Sequence, residues 1–157
     1  MNMSFDLDGV IANTDKWFFR MLNVMYQVSP GNDELLQMEL DYYASRPLNY
    51  NPHLFMNRQD TGIIITARKP WSKTATERWL LRYGITLPVI HVDYANVIDW
   101  GVLSYEEASY IAGEMKAGVI SLKGVSVHFD NNPYVVRKIR ELLPCMVVIL
   151  VGNEDRE

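Results

Sequence analysis

The stretch Phe5-Asp6-Leu7-Asp8-Gly9-Val10 places two carboxylates two residues apart at the end of a short apolar run. The run Met3–Leu7 predicts a strand, and Asp8-Gly9 predicts the turn that ends it. Because side chains i and i+2 on a strand point to the same face, Asp6 and Asp8 are expected to converge where open α/β sheets bind ligands. One carboxylate would attack phosphorus while the other moves a proton. The alternative is an acidic turn with two solvated carboxylates.

Five apolar runs, including Met3–Leu7, predict the strands of this sheet. They are continuous rather than alternating, as expected for strands buried on both faces of a parallel sheet. The predicted strands are Met3–Leu7, Gly62–Thr66, Val89–Val92, Val125–Phe129 and Met146–Val151. Helices are predicted at Trp71–Tyr83, after a capping box that begins at Ser104, and from Pro133 to Leu143. The alternation predicts an α/β fold, a Rossmann-like doubly wound parallel sheet of about five strands.

Three later positions carry side chains suited to phosphate chemistry. The second predicted strand ends in Thr66, Lys116 lies fourteen residues before Asp130, and Asp130-Asn131 ends the fourth strand. The order DxD, hydrophobic-Thr, Lys, hydrophobic-Asp resembles the four motifs of the haloacid dehalogenase-like (HAD) phosphohydrolase superfamily, over residues 3–133. The resemblance implies that the first strand is central and that the strands carrying Thr66 and Asp130 flank it.

The resemblance also implies the catalytic roles. Asp6 would attack phosphorus and form an aspartyl-phosphate, and Asp8 would protonate the leaving oxygen and then activate water. Thr66 would donate to a phosphoryl oxygen, and Lys116 would offset the charge of the transition state. Lys123 and Lys69 compete with Lys116 for the lysine role, and only the spacing favours Lys116.

A cation must offset the repulsion between an anionic nucleophile and a phosphate ester, and Mg²⁺ prefers oxygen ligands. Asp6 and Asp130 would supply carboxylates, and the resemblance implies the backbone carbonyl of Asp8 as the third protein ligand. Asn131 would either bind the metal through its amide oxygen or orient a metal-bound water. The family commonly has a second acidic residue where this chain has Asn131, so the site carries one negative charge fewer. His53, His91 and His128 lack the spacing of metal ligands.

The segment 14–60 does not fit the strand–helix alternation and is expected to be a small helical cap inserted into a single HAD-like domain, 1–157. Apolar side chains at helical spacing predict two helices there. One or two of the aromatic residues Trp17, Phe18, Tyr42 and Tyr43 are expected to face the active site and contact the leaving group of the substrate, with Trp17 and Phe18 as the preferred candidates. The alternative is that such aromatic residues pack the cap helices against the core.

The composition of the chain restricts the classes of partner that the protein is expected to bind. The net charge of −4 argues against long nucleic acid, and no apolar run approaches membrane-spanning length. The single cysteine, Cys145, cannot form an intramolecular disulfide, which favours a cytoplasmic location and a buried thiol. The oligomeric state cannot be read from the sequence.

The substrate follows only from closer resemblances. Residues 6–13 resemble the 5'(3')-deoxyribonucleotidase branch, and the segments 64–68, 76–80 and 83–85 are similar to nucleotidases and to polynucleotide 3'-phosphatase domains. They imply a Mg-dependent phosphatase acting on a nucleoside monophosphate. Arg68 either binds the substrate's phosphate or base or caps a turn. The alternatives are another small phosphorylated metabolite, a nucleic-acid 3'-phosphate end, or a non-catalytic HAD-like binding protein.

Overall fold

Five parallel strands form a single sheet at the centre of the fold. The structure is a computed structural model that describes residues 1–92 and 104–152. The strands are β1 (Asn2–Phe5), β2 (Thr61–Thr66), β3 (Val89–His91), β4 (Val127–Asp130) and β5 (Val147–Leu150). Their order is β3-β2-β1-β4-β5. The predicted α/β fold with a parallel sheet is confirmed, and β1 lies between β2 and β4.

The register brings the polar ends of these strands to the same edge. Phe5, the last residue of β1, lies opposite Ile64 of β2 and Phe129 of β4. The residues that follow these positions are therefore neighbours, and the amide of Asp6 continues the ladder by donating to the carbonyl of Phe129 at 2.8 Å. This carboxyl edge is where a ligand of an open parallel sheet binds.

Five helices surround the sheet in the described part of the chain. They are α1 (Lys16–Val28), α2 (Asp33–Ser45), α3 (Lys73–Arg82), α4 (Tyr105–Leu122) and α5 (Pro133–Leu142). The predicted capping box is present, since Ser104 Oγ accepts from the amide of Glu107 at 3.1 Å. A short 3-10 turn, Pro70–Ser72, precedes α3, so this helix begins at Lys73 rather than at Trp71. No helix within the described ranges has the length and apolar character needed to cross a membrane.

The core has two halves, one on each face of the sheet. Adjacent residues of a strand point to opposite faces, and the neighbours Ile64 and Ile65 belong to different buried clusters. One cluster contains residues of β1, the turn after it and α3, whereas the other is built mainly by α4 and α5. The helices α1 and α2 occupy the segment between β1 and β2 for which a helical insert was predicted.

Two further local predictions were wrong. β1 ends at Phe5 rather than at Leu7, because the carbonyl of Leu7 accepts from the amides of Ile11 and Ala12 at 3.0 and 2.9 Å and the chain curls into a turn. Asp6 and Asp8 thus reach the site from this turn and not by strand alternation. Cys145 is exposed, because it lies in the connection between α5 and β5.

Candidate active site

Lys116 joins two carboxylates at the carboxyl edge. Its Nζ donates to Asp6 Oδ1 at 2.9 Å and to Asp130 Oδ2 at 2.8 Å, and all three side chains are buried. Helix α4 carries Lys116 across the end of the sheet. The competing lysines lie elsewhere: Lys123 is exposed at the end of α4, and Lys69 forms an ion pair with Glu39 of α2.

The side chains of Asp6, Asp130 and Lys116 shift one another's pKa values. Burial and the negative charge of Asp130 raise the pKa of Asp6 to about 8, although Lys116 opposes this. Burial acts to raise the pKa of Asp130 too, but Lys116 and a hydrogen bond from His128 hold it below its ordinary value. Burial opposes charge on Lys116, yet Asp130 and Asp6 raise its pKa. Asp130 and Lys116 therefore form the ionised pair, and Asp6 is the carboxylate that takes up a proton.

Arg68 holds Asp8 through both carboxylate oxygens. Its Nε donates to Oδ2 at 2.9 Å and its Nη2 to Oδ1 at 2.7 Å, a bidentate geometry. The same guanidinium donates to Thr76 Oγ1 at 3.1 Å and lies 3.8 Å from the ring centroid of Tyr43. Burial acts to lower the pKa of Arg68, but Asp8 raises it above its ordinary value. Arg68, which was expected to bind substrate or cap a turn, contacts Asp8 and lines the cleft beside it, and its contact with substrate stays a prediction.

Thr66 ends β2 and is buried beside this pair. Its Oγ1 accepts from the amide of Arg68 at 3.1 Å, which fixes the turn that follows the strand. A hydroxyl that accepts one hydrogen bond still carries a proton to donate. The hydroxyl of Thr66 therefore keeps a proton to donate, and its donation to a phosphoryl oxygen stays a prediction.

Oxygen atoms gather around the side-chain amide of Asn131. With its NH₂ group turned toward them, the amide donates to the carbonyl oxygen of Asp8 at 2.9 Å and to Asp6 Oδ2 at 3.2 Å. Gly9 permits this approach, because it has a φ of +83° and a Cβ there would lie 2.4 Å from Asn131 Cγ. Rotated by half a turn, the amide presents its oxygen to the same two atoms.

That second orientation fits a small divalent cation. Adjacent ligands of an octahedral Mg²⁺ site are about 2.9 Å apart, as follows from metal–oxygen distances of 2.0–2.1 Å. The Asn131 amide atom that would be the oxygen lies 2.9 Å from the Asp8 carbonyl oxygen and 3.2 Å from Asp6 Oδ2, close to this spacing. In residues 1–92 and 104–152, no three His, Cys, Asp or Glu side chains form a metal-binding group. The set that fits is mixed, with one carboxylate, one backbone carbonyl and one amide.

Asp130, the fourth predicted ligand, faces protein donors. Its Oδ1 accepts from the amide of Asn132 at 3.0 Å, while Oδ2 faces Lys116 and His128 Nε2, the latter at 3.1 Å. The other ring nitrogen of His128 lies 2.7 Å from Ser4 Oγ. Burial lowers the pKa of His128, so the ring is neutral at neutral pH.

The role of His128 was not predicted, although its place on the same strand face as Asp130 could have been predicted from the sequence. His128 precedes Asp130 by two residues on a strand, so both side chains share a face. Ser4 lies opposite His128 in the register between β1 and β4. The i, i+2 spacing with Asp130 was the signal that sequence reasoning missed.

The carboxylates open onto a cleft with a volume of about 330 Å³ between α1 and the start of α4. Its aromatic wall contains Phe19, Tyr43 and Tyr105. Trp17 and Phe18 do not line it: Trp17 is 66% exposed, and Phe18 stacks on Tyr42 of α2 with ring centroids 3.6 Å apart. The rotation of α1 about its own axis therefore turns Phe19, the next aromatic residue, toward the cleft.

The comparisons with known proteins support the fold. No protein-family model and no curated protein sequence matches the chain. Among solved structures, it is similar to a chain of the Pnkp1/Rnl/Hen1 RNA repair complex, with a TM-score of 0.63 and 18% sequence identity. The match covers 98% of this chain and 43% of the other, so this chain spans less than half the length of that relative. At this identity the likeness shows a shared α/β architecture.

Proposed function

We propose that this chain is a HAD-like phosphomonoesterase, with Asp6 as its nucleophile and Mg²⁺ as its cofactor. The observation that carries the proposal is that the two carboxylate oxygens of Asp6 have different partners. Oδ1 accepts from Lys116, whereas Oδ2 lies with the Asp8 carbonyl and Asn131 in the oxygen set that fits a cation. Mg²⁺ bound there would offset the negative charge of nucleophile and substrate and favour ionised Asp6.

The side chains supply the rest of the chemistry. An oxygen of Asp6 forms a bond to phosphorus while the bond from phosphorus to the leaving oxygen breaks, and protonated Asp8 gives its proton to that oxygen. Asp8 then takes a proton from water, whose oxygen attacks the phosphorus of the aspartyl-phosphate. Inorganic phosphate leaves, and Asp6 is restored. Lys116 stabilises the added charge, and Thr66 donates to a phosphoryl oxygen.

The cleft favours a small phosphorylated substrate. Its volume of about 330 Å³ and its aromatic wall of Phe19, Tyr43 and Tyr105 suit a planar base, which supports a nucleoside monophosphate. A nucleic-acid 3'-phosphate end is the second candidate. It is supported by the cations Lys16 and Arg20 on the α1 side of the cleft and by the RNA repair complex to which the similar chain belongs.

Phosphate release with and without Mg²⁺ tests the proposal. The substrates are an aryl phosphate, a panel of nucleoside monophosphates and a short oligonucleotide with a 3'-phosphate. Asp6→Asn is the control, because it removes the attacking charge at nearly constant shape, and its loss should be about 10⁴-fold or more. Equal phosphate release by wild type and Asp6→Asn, or full activity in excess chelator, would overturn the mechanism. The preferred substrate decides between the mononucleotide and the 3' end.

A further inference from the structure

A buried carboxylate outside the catalytic cluster collects donors from three parts of the chain. Glu39 of α2 is fully buried, and its Oε1 accepts from Tyr26 Oη at 2.7 Å and from Trp71 Nε1 at 2.9 Å. Its Oε2 accepts from Tyr43 Oη at 2.7 Å and lies 3.7 Å from Lys69 Nζ. A buried charge persists only when it is paired and hydrogen-bonded, so this arrangement fixes the position of α2.

The partners of Glu39 attach the helices α1 and α2 to the loop after β2. The ammonium of Lys69 lies 4.6 Å from the ring centroid of Tyr26 and 5.5 Å from that of Trp71, within the range of a cation–π interaction. Lys69 and Trp71 belong to the connection between β2 and α3, which also contains Arg68, whereas Tyr26 belongs to α1. The network therefore joins the segment between β1 and β2 to the residues next to Asp8.

Tyr43 connects this network to the candidate acid–base residue. Its hydroxyl donates to Glu39, and its ring face lies 3.8 Å from the guanidinium carbon of Arg68. Arg68 in turn binds both oxygens of Asp8. Because the guanidinium is planar, the orientation of the Tyr43 ring restrains the plane in which Arg68 presents its two donors.

We propose that Glu39, acting through Tyr43 and Arg68, is a positioning residue that sets the orientation of the Asp8 carboxylate. The inference rests on the proposed function for its catalytic consequence, and on geometry alone for the restraint of Arg68. A proton donor misplaced by about 1 Å can lose on the order of 10²-fold in rate. The contacts that hold α2 in place thereby influence proton transfer by Asp8.

Three variants separate positioning from general destabilisation. Glu39→Gln removes the charge, Tyr43→Leu removes the ring and the hydroxyl, and Tyr43→Phe keeps the ring should the larger truncation fail to fold. Tyr42→Leu is the matched control. Tyr42 lies on the same helix, has the guanidinium carbon of Arg46 4.0 Å from its ring centroid and accepts from the amide of Asp15 at 2.8 Å, yet it does not contact the Asp8–Arg68 pair.

The kinetic readout is kcat/KM for two leaving groups. This ratio reports phosphoryl transfer to Asp6 and is independent of the later hydrolysis, which both substrates share. A small alkyl phosphate that carries no base needs the proton from Asp8, whereas an aryl phosphate with an acidic phenol does not, and neither substrate depends on base stacking at Tyr43. In Glu39→Gln and Tyr43→Leu we expect a loss of roughly 10- to 100-fold for the alkyl substrate and less than about threefold for the aryl substrate. Equal losses on both substrates would overturn the proposal.

A second readout does not depend on activity. The Arg68 Nε–H resonance, assigned by its absence in Arg68→Lys, should exchange slowly with water in the wild type because Asp8 accepts from it. Exchange should accelerate in Glu39→Gln and Tyr43→Leu and stay unchanged in Tyr42→Leu. Unchanged exchange in folded Glu39→Gln, Tyr43→Phe and Tyr43→Leu would refute the positioning role. If the wild type hydrolyses neither substrate, the phosphatase proposal fails while this measurement still decides the restraint of Arg68.

Discussion

The ammonium of Lys116 donates to one oxygen of Asp6 at 2.9 Å, across 110 residues of sequence. The bond occupies Oδ1 and leaves Oδ2 beside the Asp8 carbonyl and Asn131. Because Lys116 also binds Asp130, its single charge is shared between two buried carboxylates. The protein therefore compensates the charge of ionised Asp6 only in part, which favours its protonated form, and its properties should respond strongly to pH and to cations.

The first prediction concerns stability against pH without metal. The pKa of Asp6 lies at about 8 in the folded chain, against an ordinary value of 3.8. Between these values the folded state holds a proton that the unfolded state has lost, so stability should fall as pH rises through this window. Asp6→Asn should lack this dependence. With chelator present, its Tm should exceed that of wild type by more at pH 9 than at pH 5. A Tm difference that is the same at both pH values would contradict the raised pKa.

Lys116 should be indispensable to the fold as well as to catalysis. Lys116→Met leaves Asp6 and Asp130 buried without their shared cation, and breaking a buried ion pair in this way costs about 3–5 kcal/mol. Lys123→Met, at the exposed end of the same helix, should change stability by less than about 0.5 kcal/mol. Urea denaturation of both variants measures the difference. Similar unfolding free energies in the two would show that the buried lysine is not the structural counter-charge.

The features of the site that depend on strand order could be predicted from the sequence. The features that depend on the rotation of a helix about its axis could not. Asp6, Thr66 and Asp130 lie at the carboxyl ends of strands of a parallel sheet, so their meeting at one edge follows from topology. Trp17 and Phe19 differ by two positions on one helix, about 200° of rotation, and the sequence pattern does not fix which of them faces the cleft.

Contacts between distant side chains are also beyond sequence reasoning. The pairing of Arg68 with Asp8 depends on the turns after two different strands. Nothing in the sequence of α2 distinguishes Glu39 from the solvated acids around it, because its burial depends on Tyr26 and Trp71 from other segments. Such contacts become visible only when the tertiary packing is known.

Asn131→Asp should strengthen Mg²⁺ binding and weaken the metal-free protein. The amide donates to Asp6 Oδ2 and to the Asp8 carbonyl, whereas a carboxylate would repel both oxygens until a cation separates them. We expect a lower Tm in chelator and a steeper rise of Tm with Mg²⁺ concentration than in wild type. Asn49→Asp adds the same charge beside Gly9, whose carbonyl accepts from Asn49, and is the control. A parallel Mg²⁺ response in both variants would argue against a cation at Asn131.

Phe19 rather than Trp17 should determine affinity for the base of a nucleotide. Phe19 lines the cleft beside Tyr43, whereas Trp17 is 66% exposed and does not line it. A lost stacking contact with a base costs roughly 1–3 kcal/mol, so Phe19→Ala should raise KM for a nucleoside monophosphate about five- to hundredfold. KM for a small aryl phosphate should change little, because that leaving group is too short to reach the wall. Trp17→Ala should leave both values near those of wild type. The measurement is KM for both substrates, with the Tm of each variant recorded. If Phe19→Ala impairs both substrates equally and in proportion to its loss of Tm, Phe19 packs the helix and the aromatic wall does not recognise a base.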